Sequence, residues 1–376
     1  MISYFNYTKH VADSWWDRRD FAQRWWRLGR ADQRWTPPYY PALRQALDPK
    51  RNPYLAQRSP LFLHMEALPR RARSDNQTSG TGFAGALMEE PVAATVVLAD
   101  ENRHDGTAYL SLFHCVNDGE TMERLLGALM EHLWEMGCHR VVGPTGLSPH
   151  LESGVLQNFF QLSPPLHTPY QPPYLPELME SVMTPIAQSQ LYTIDLTATP
   201  NETPTGPAQL QPLVPEHLSQ QLLPLLAAAC EANGDYPPPT AVEADFMLRW
   251  LRVWPLVGWL ATLRGQPVGF VLLQPDLSPS IRRANGGRNL LWRTWLKWRS
   301  RHTVRTGRFL YGGVLPTWRG QGIGRQLWQQ ALQTAQAQSW QTLTIGPVTD
   351  ETPGATFLER VGAQAQQRYL TYASEL

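Results

Sequence analysis

Lysine is almost missing from this chain. Lys9, Lys50 and Lys297 are the only three, so 30 of its 33 basic residues are arginine. Acid is missing from one long stretch: Leu277 to Thr349 holds no Asp or Glu, but ten arginines and Lys297, a formal charge of +11 in a chain of net charge +1. The whole molecule is no polyelectrolyte, yet one face of its C-terminal half favours anions. Cysteine is scarce. Cys115, Cys138 and Cys230 are odd in number and form no Cys-x-x-Cys pair, which argues against a disulfide framework and a structural zinc site. No apolar run approaches the roughly 20 residues of a membrane span. Met1 to Tyr7 has neither the basic nor the apolar region of a signal peptide. The reading is a cytoplasmic protein with reduced thiols, in which the sequons at Asn6, Asn76 and Asn201 are accidental.

With 42% apolar and 17% charged residues the chain is too apolar to be disordered. Its 376 residues suit two domains at roughly 150 residues each. The Pro- and Thr-rich stretch from Thr197 to Pro207 is the clearest linker. It divides the chain into 1–200 and 207–376. A second Pro-rich stretch, Ser163 to Pro176, is full of aromatics and reads as an ordered surface segment. Arg70 to Gly85 is polar and rich in Gly and Ser, and reads as a mobile hairpin loop.

Both halves alternate strands with helices. Met122, Leu125, Leu126, Leu129, Met130, Leu133 and Trp134 form an amphipathic stripe between strands near 108–116 and 139–143. In the C-terminal half Leu327, Trp328, Ala331, Leu332 and Ala335 form the matching stripe between strands near 308–315 and 342–346. Leu125, Ala128 and Leu129 align with Trp328, Ala331 and Leu332 at an offset of 203, and Gly143-Pro144 aligns with Gly346-Pro347 at the same offset. This spacing implies an internal duplication of one α/β unit.

The halves differ between strand and helix. The C-terminal half reads Val314-Leu-Pro316-Thr-Trp-Arg319-Gly320-Gln321-Gly322-Ile323-Gly324-Arg325. Alternating glycines let the backbone curl, so that successive N–H groups point inward at the start of a helix. Orphan amides and the helix dipole then make an anion site, flanked by Arg319 and Arg325. No Gly-Lys-Ser/Thr follows, which excludes a nucleotide-triphosphate P-loop. The N-terminal counterpart is five residues shorter and carries Asp118, Glu120 and Glu123 instead.

Val314-x-Pro316-x-x-Arg319-Gly320-x-Gly322-x-Gly324 between strand and helix resembles the acetyl-CoA motif of the GNAT acyltransferases. The preceding hairpin and Phe357-Leu-Glu-Arg-Val-Gly362-Ala363 resemble the family's flanking elements. The likeness covers about 208–376; the N-terminal half resembles the family in topology only. The resemblance implies two tandem GNAT-like domains, each a splayed mixed sheet flanked by helices. The first, 1–200, would be degenerate and lack the CoA loop. The second, 207–376, would bind acetyl-CoA or another acyl-CoA as cosubstrate. Gly312, Gly313 and Val314 would offer strand backbone to the acyl-pantetheine arm. Gly320, Gln321, Gly322, Ile323, Gly324 and Arg325 would hold the pyrophosphate. Two positions depart from the family. Leu358 stands where a Tyr general acid is common, and Glu351 where an Asn often contacts CoA. A weaker likeness to tandem members covers Gly143-Pro144, Glu152, Gly154, Pro164-Pro165 and Pro169-Tyr170.

The implied activity is direct acyl transfer to an amine by an N-acetyltransferase, with no covalent intermediate and no metal. The candidate proton acceptors are Tyr311, Glu351, Asp350, Asp235 and Glu231, and Tyr311 stands first because it adjoins the acyl-binding backbone. The competing reading is a non-enzymatic CoA sensor or adaptor. The insertion 278–306 carries Leu291, Trp295 and Trp298 on one face and Arg293, Lys297 and Arg301 on another. Packing on the domain is its first reading. Contact with an anionic membrane or RNA through 288–301 is the alternative. Trp15, Trp16, Trp25, Trp26 and Trp35 read as core or inter-domain packing. The expected acceptor is a small-molecule or peptide amine, and the expected state a monomer that is internally a pseudo-dimer.

Overall fold

The computed structural model describes residues 7–11, 14–67, 90–99, 105–200, 202–214, 218–230 and 236–375. The loop read at Arg70–Gly85 and the candidate acids Glu231 and Asp235 lie outside the described residues.

In the first half the elements are β1 (Tyr7–Val11), α1 (Trp15–Gly29), α2 (Tyr40–Ala46), α3 (Pro53–Ala56), β2 (Leu61–Ala67), β3 (Glu90–Ala99), β4 (Thr107–Cys115), α4 (Gly119–Glu135), β5 (Arg140–Thr145), β6 (Val155–Leu156), α5 (Leu175–Glu180) and β7 (Thr184–Asp195). The second half runs β8 (Gln209–Pro212), α6 (Leu218–Cys230), α7 (Ala241–Leu251), β9 (Val257–Leu263), β10 (Gln266–Pro275), α8 (Ser278–Arg283), α9 (Leu290–Arg299), β11 (Thr306–Val314), α10 (Ile323–Ala337), β12 (Thr342–Thr349), α11 (Pro353–Arg360) and β13 (Gln364–Glu375).

One continuous mixed sheet carries all of this, in the order β1-β2-β3-β4-β5-β13-β7-β12-β11-β10-β9-β8. Read from either end it gives the same succession, with a pseudo-twofold axis between β13 and β7. The duplication at offset 203 is visible in the pairing: β4–β5 and β11–β12 are parallel, and the strands outside them antiparallel. Gly143-Pro144 and Gly346-Pro347 are both cis. The linker at 197–207 divides the chain but not the sheet. β7 lies between β12 and β13, and β13 lies between β5 and β7, so each half lends its last strand to the other.

Helices cover both faces. α1 and α4 pack on opposite sides of the N-terminal strands, and α6–α7 and α10 on opposite sides of the C-terminal ones. Of the α4 stripe, Met122, Leu125, Leu129 and Leu133 are buried, while Trp134 is exposed, because a helix on a flat sheet buries only a narrow strip. Trp25, Trp26 and Trp35 are buried as expected. Trp15 and Trp16 are exposed, contrary to the packing role read for them, since they open α1 at its solvent end.

The Ser163–Pro176 segment is ordered but is not on the surface. Leu166, Thr168, Tyr170 and Gln171 are buried, and the Leu166 amide donates to Asp276 at 3.0 Å. The first turn of the 278–306 insertion docks on the N-terminal half. Arg282 donates to Thr36 Oγ1 at 2.8 Å, and Trp26 donates to Asn285 Oδ1 at 3.0 Å. Arg58 and Glu243, both almost fully buried, form a 3.1 Å ion pair across the halves. Tyr54 stacks on Phe246 beside it at 5.0 Å.

Candidate active site

The site grows from one irregularity in β11. Leu272 pairs with Tyr311 but Leu273 pairs with Phe309, so Leu310 is an extra residue that bends the strand. On its other side β11 pairs with β12 only from Thr306 to Phe309. Beyond that point the two strands splay, and the β12-facing backbone edge of residues 310–314 has no strand partner. Gly312, Gly313 and Val314 lie on this open edge, with β10 behind them.

The splayed strands, α10 and α11 enclose a cleft of about 410 Å³. Its wall includes Tyr311, Gly312, Gly313, Val314, Arg319 and Gly324, and no carboxylate lines it among the described residues. At its mouth the chain makes a short 3-10 turn at 316–318 and then enters α10 through the glycine loop. Gly320 and Gly322 have φ of 77° and 83°, the left-handed region that a side chain resists. A Cβ at either would meet nothing within 4 Å, so backbone conformation and not crowding makes these positions glycine. Gly322 is the N-cap of α10 and has no side chain to cap it, leaving the helix's first amides free for an anion. Arg319 and Arg325 are exposed beside the loop with no acidic partner among the described residues, while Ile323 anchors it in the core. Arg319 Nε donates to the Val314 carbonyl at 3.0 Å, tying loop to strand.

The sequence candidates for proton transfer fall in different places. Tyr311 lines the cleft, but its hydroxyl donates to the His150 carbonyl. Burial pushes its pKa well above the ordinary value, so at neutral pH it can give a proton but not take one. Leu358 also lines the cleft and is buried, an apolar wall where the family resemblance leads one to look for an acid. Asp350 and Glu351 do not line it. Asp350 accepts from Gln188 and Gln190 on β7, and Glu351 is an exposed turn residue with φ of 61°.

Sequence reasoning missed a buried polar group behind the cleft. Arg308, only 2% exposed, donates to Thr344 Oγ1 and the Gly346 carbonyl, and desolvation lowers its pKa to about 10, so it stays charged. His167 meets Gln274 Oε1 at 3.1 Å and is held down to about 3 by burial and then by Arg308. Burial pushes the Glu152 carboxyl up to about 7, with Arg308 opposing. The sequence signals nearby were Glu152 itself, named in the weaker likeness to tandem members without a chemical role, and the Pro-rich segment that brings His167 beside it. Cys230, the third thiol, lines the cleft, and burial raises it to about 12, far from a nucleophile's range.

The N-terminal counterpart is built differently. Asp118 caps α4, accepting from the Thr121 amide at 2.9 Å, and Glu120 pairs with Arg124 at 2.7 Å. Where β4 and β5 part, residues 36–39 and 165–171 fill the opening and leave a cavity of about 110 Å³.

Residues 222–363 match the model of the acetyltransferase (GNAT) family. Among solved structures the chain is similar to a tandem GNAT protein from the clavulanic acid biosynthesis pathway, at 11% identity over 99% of this chain and 98% of that one, TM-score 0.58. It is similar to a GCN5-related N-acetyltransferase from Sphaerobacter thermophilus, at 16% identity over 98% and 95%, TM-score 0.51. It is also similar to a probable N-acyltransferase from Enterococcus faecalis V583, at 7% identity over 99% and 73%, TM-score 0.59. No curated protein matches the sequence. Residues 222–363 thus match a GNAT-family model, and nearly the whole chain shares the fold of a tandem GNAT protein.

Proposed function

We propose that the C-terminal half is an acyl-CoA-dependent N-acyltransferase that moves an acetyl group from acetyl-CoA to an amine. One observation carries this reading. A glycine loop with two left-handed residues and two arginines that have no acidic partner among the described residues opens onto a cleft that runs along an uncovered strand edge. The loop suits the pyrophosphate, and the amides of 312–314 suit the pantetheine arm and the thioester carbonyl. The amine nitrogen attacks that carbonyl carbon and the carbon–sulfur bond breaks. Of the two protons that nitrogen loses from its ammonium form, one goes to a base and the other is matched by one gained at the CoA sulfur. Tyr311 serves as the donor to sulfur, the task that Leu358 cannot perform. The test is thiol release from acetyl-CoA over a panel of amines, beside a CoA titration. Turnover on some amine class supports the enzyme. Tight CoA binding with no turnover on any class supports an adaptor.

A second reading concerns α9. It packs through Leu296, with Trp292 and Trp295 half-buried, and leaves Leu290, Leu291 and Trp298 exposed at 74%, 83% and 55%. Lys297 and Arg301 flank that apolar tip in an acid-free stretch. Such a face suits the surface of an anionic membrane. Co-sedimentation with phosphatidylserine vesicles, lost in Leu291→Glu and at high salt, would support it. Binding to RNA and not to vesicles would contradict it.

A further inference from the structure

The small cavity in the N-terminal half has an unusual lining. Trp25, Trp35, Tyr39, Tyr170, Trp250 and Trp254 supply aromatic surface, and Glu152 is the only charged side chain among the described residues. Among the described residues no arginine or lysine lines it. Its two histidines are neutral, since burial holds His114 near 4 and His167 near 3. The Glu152 carboxylate accepts no hydrogen bond from any described residue. The nearest cation it feels is Arg308, which spends its terminal nitrogens on Thr344 and Gly346. A half-buried carboxylate with no donor among the described residues, in a cavity lined by aromatic rings, offers a place for a cation. The cavity adjoins the cleft, because Leu151 and His167 line both.

We propose that this cavity binds a small aliphatic ammonium, with the charge at Glu152 and the carbons against the tryptophan and tyrosine faces. Ring quadrupoles and a half-buried carboxylate both select a cation and reject an anion. A cavity of about 150 Å³ accommodates benzene, so 110 Å³ suits an alkylammonium of about five heavy atoms, or the ammonium end of a longer molecule. The degenerate half thereby gains a role, presenting the acceptor beside the acyl donor held by the other half. That role rests on the acyl-transfer reading, whereas the binding does not.

Tryptophan fluorescence of the full chain, titrated with n-butylammonium and with 1-butanol, tests this directly. Saturable quenching by butylammonium, at least about tenfold tighter than by butanol, is expected. In Glu152→Gln the preference should vanish while CoA titration stays unchanged, and Glu152→Asp should keep a reduced preference. Equal response to the two probes, or a preference that survives in Glu152→Gln, would overturn the proposal. If Glu152→Gln fails to fold, the wild-type comparison alone still decides. Butylammonium binding without CoA binding would sink the acyl-transfer reading and leave this one standing.

Discussion

Glu152 is a carboxylate kept at a cost. Its pKa is raised from 4.5 to about 7, so between those values the native state holds a proton the unfolded chain has lost. Stability therefore falls as pH rises through that window, by about 3 kcal/mol in all. Glu152→Gln should accordingly raise Tm at pH 8 and change it little at pH 4. An equal shift at both pH values would contradict the assignment. The buried histidines act in the opposite sense. With His114 near 4 and His167 near 3, the unfolded chain takes up protons first, and both variant and wild type lose stability below about pH 6.5. Tyr311→Phe removes one hydrogen bond to the His150 carbonyl and the proposed proton donor. It should lower kcat by about 10²-fold and leave the CoA Kd within about twofold. An unchanged kcat would remove Tyr311 from the chemistry.

At the level of elements, the glycine loop was the most legible part of the molecule. Its function is local: φ at Gly320 and Gly322, free amides at the start of α10 and two adjacent arginines all follow from one short stretch. Gly322→Glu adds a side chain at φ of 83° and a negative charge in the anion site. CoA affinity should drop by at least about 10²-fold, and Arg325→Glu should weaken it similarly. Glu120→Ala in the other half should change nothing, because Glu120 only pairs with Arg124 on the surface of α4. The helix stripes were legible too, though too wide, as the exposed Trp134 shows. The Pro164–Gln171 run was misread as surface. Its burial depends on β4 and β5 parting to receive it, and nothing within the segment encodes that space. Glu152 was overlooked as chemistry for the same reason, since a polar turn residue gains a raised pKa only from what folds over it.

The whole molecule is tied together by exchange. A linker at 197–207 reads as a boundary because local composition is all that a linker needs. The strand partners of β7 and β13 lie more than a hundred residues away, and no local pattern announces them. Residues 207–376 expressed alone would lack β7, which separates β12 from β13. That fragment should expose unpaired strand edges, aggregate and fail to bind CoA, whereas co-expression with 1–200 should restore a soluble, binding complex. A monomeric, CoA-binding fragment would show that the exchange is dispensable.

The two halves repeat one strand order but differ at their openings. One opening is a cleft of about 410 Å³ with a free loop, and the other is filled to about 110 Å³ by its own chain. Calorimetric titration of the full chain with CoA tests this most directly. The account predicts one CoA per chain, with binding abolished in Gly322→Glu. Two CoA per chain, or binding that persists in Gly322→Glu, would contradict it.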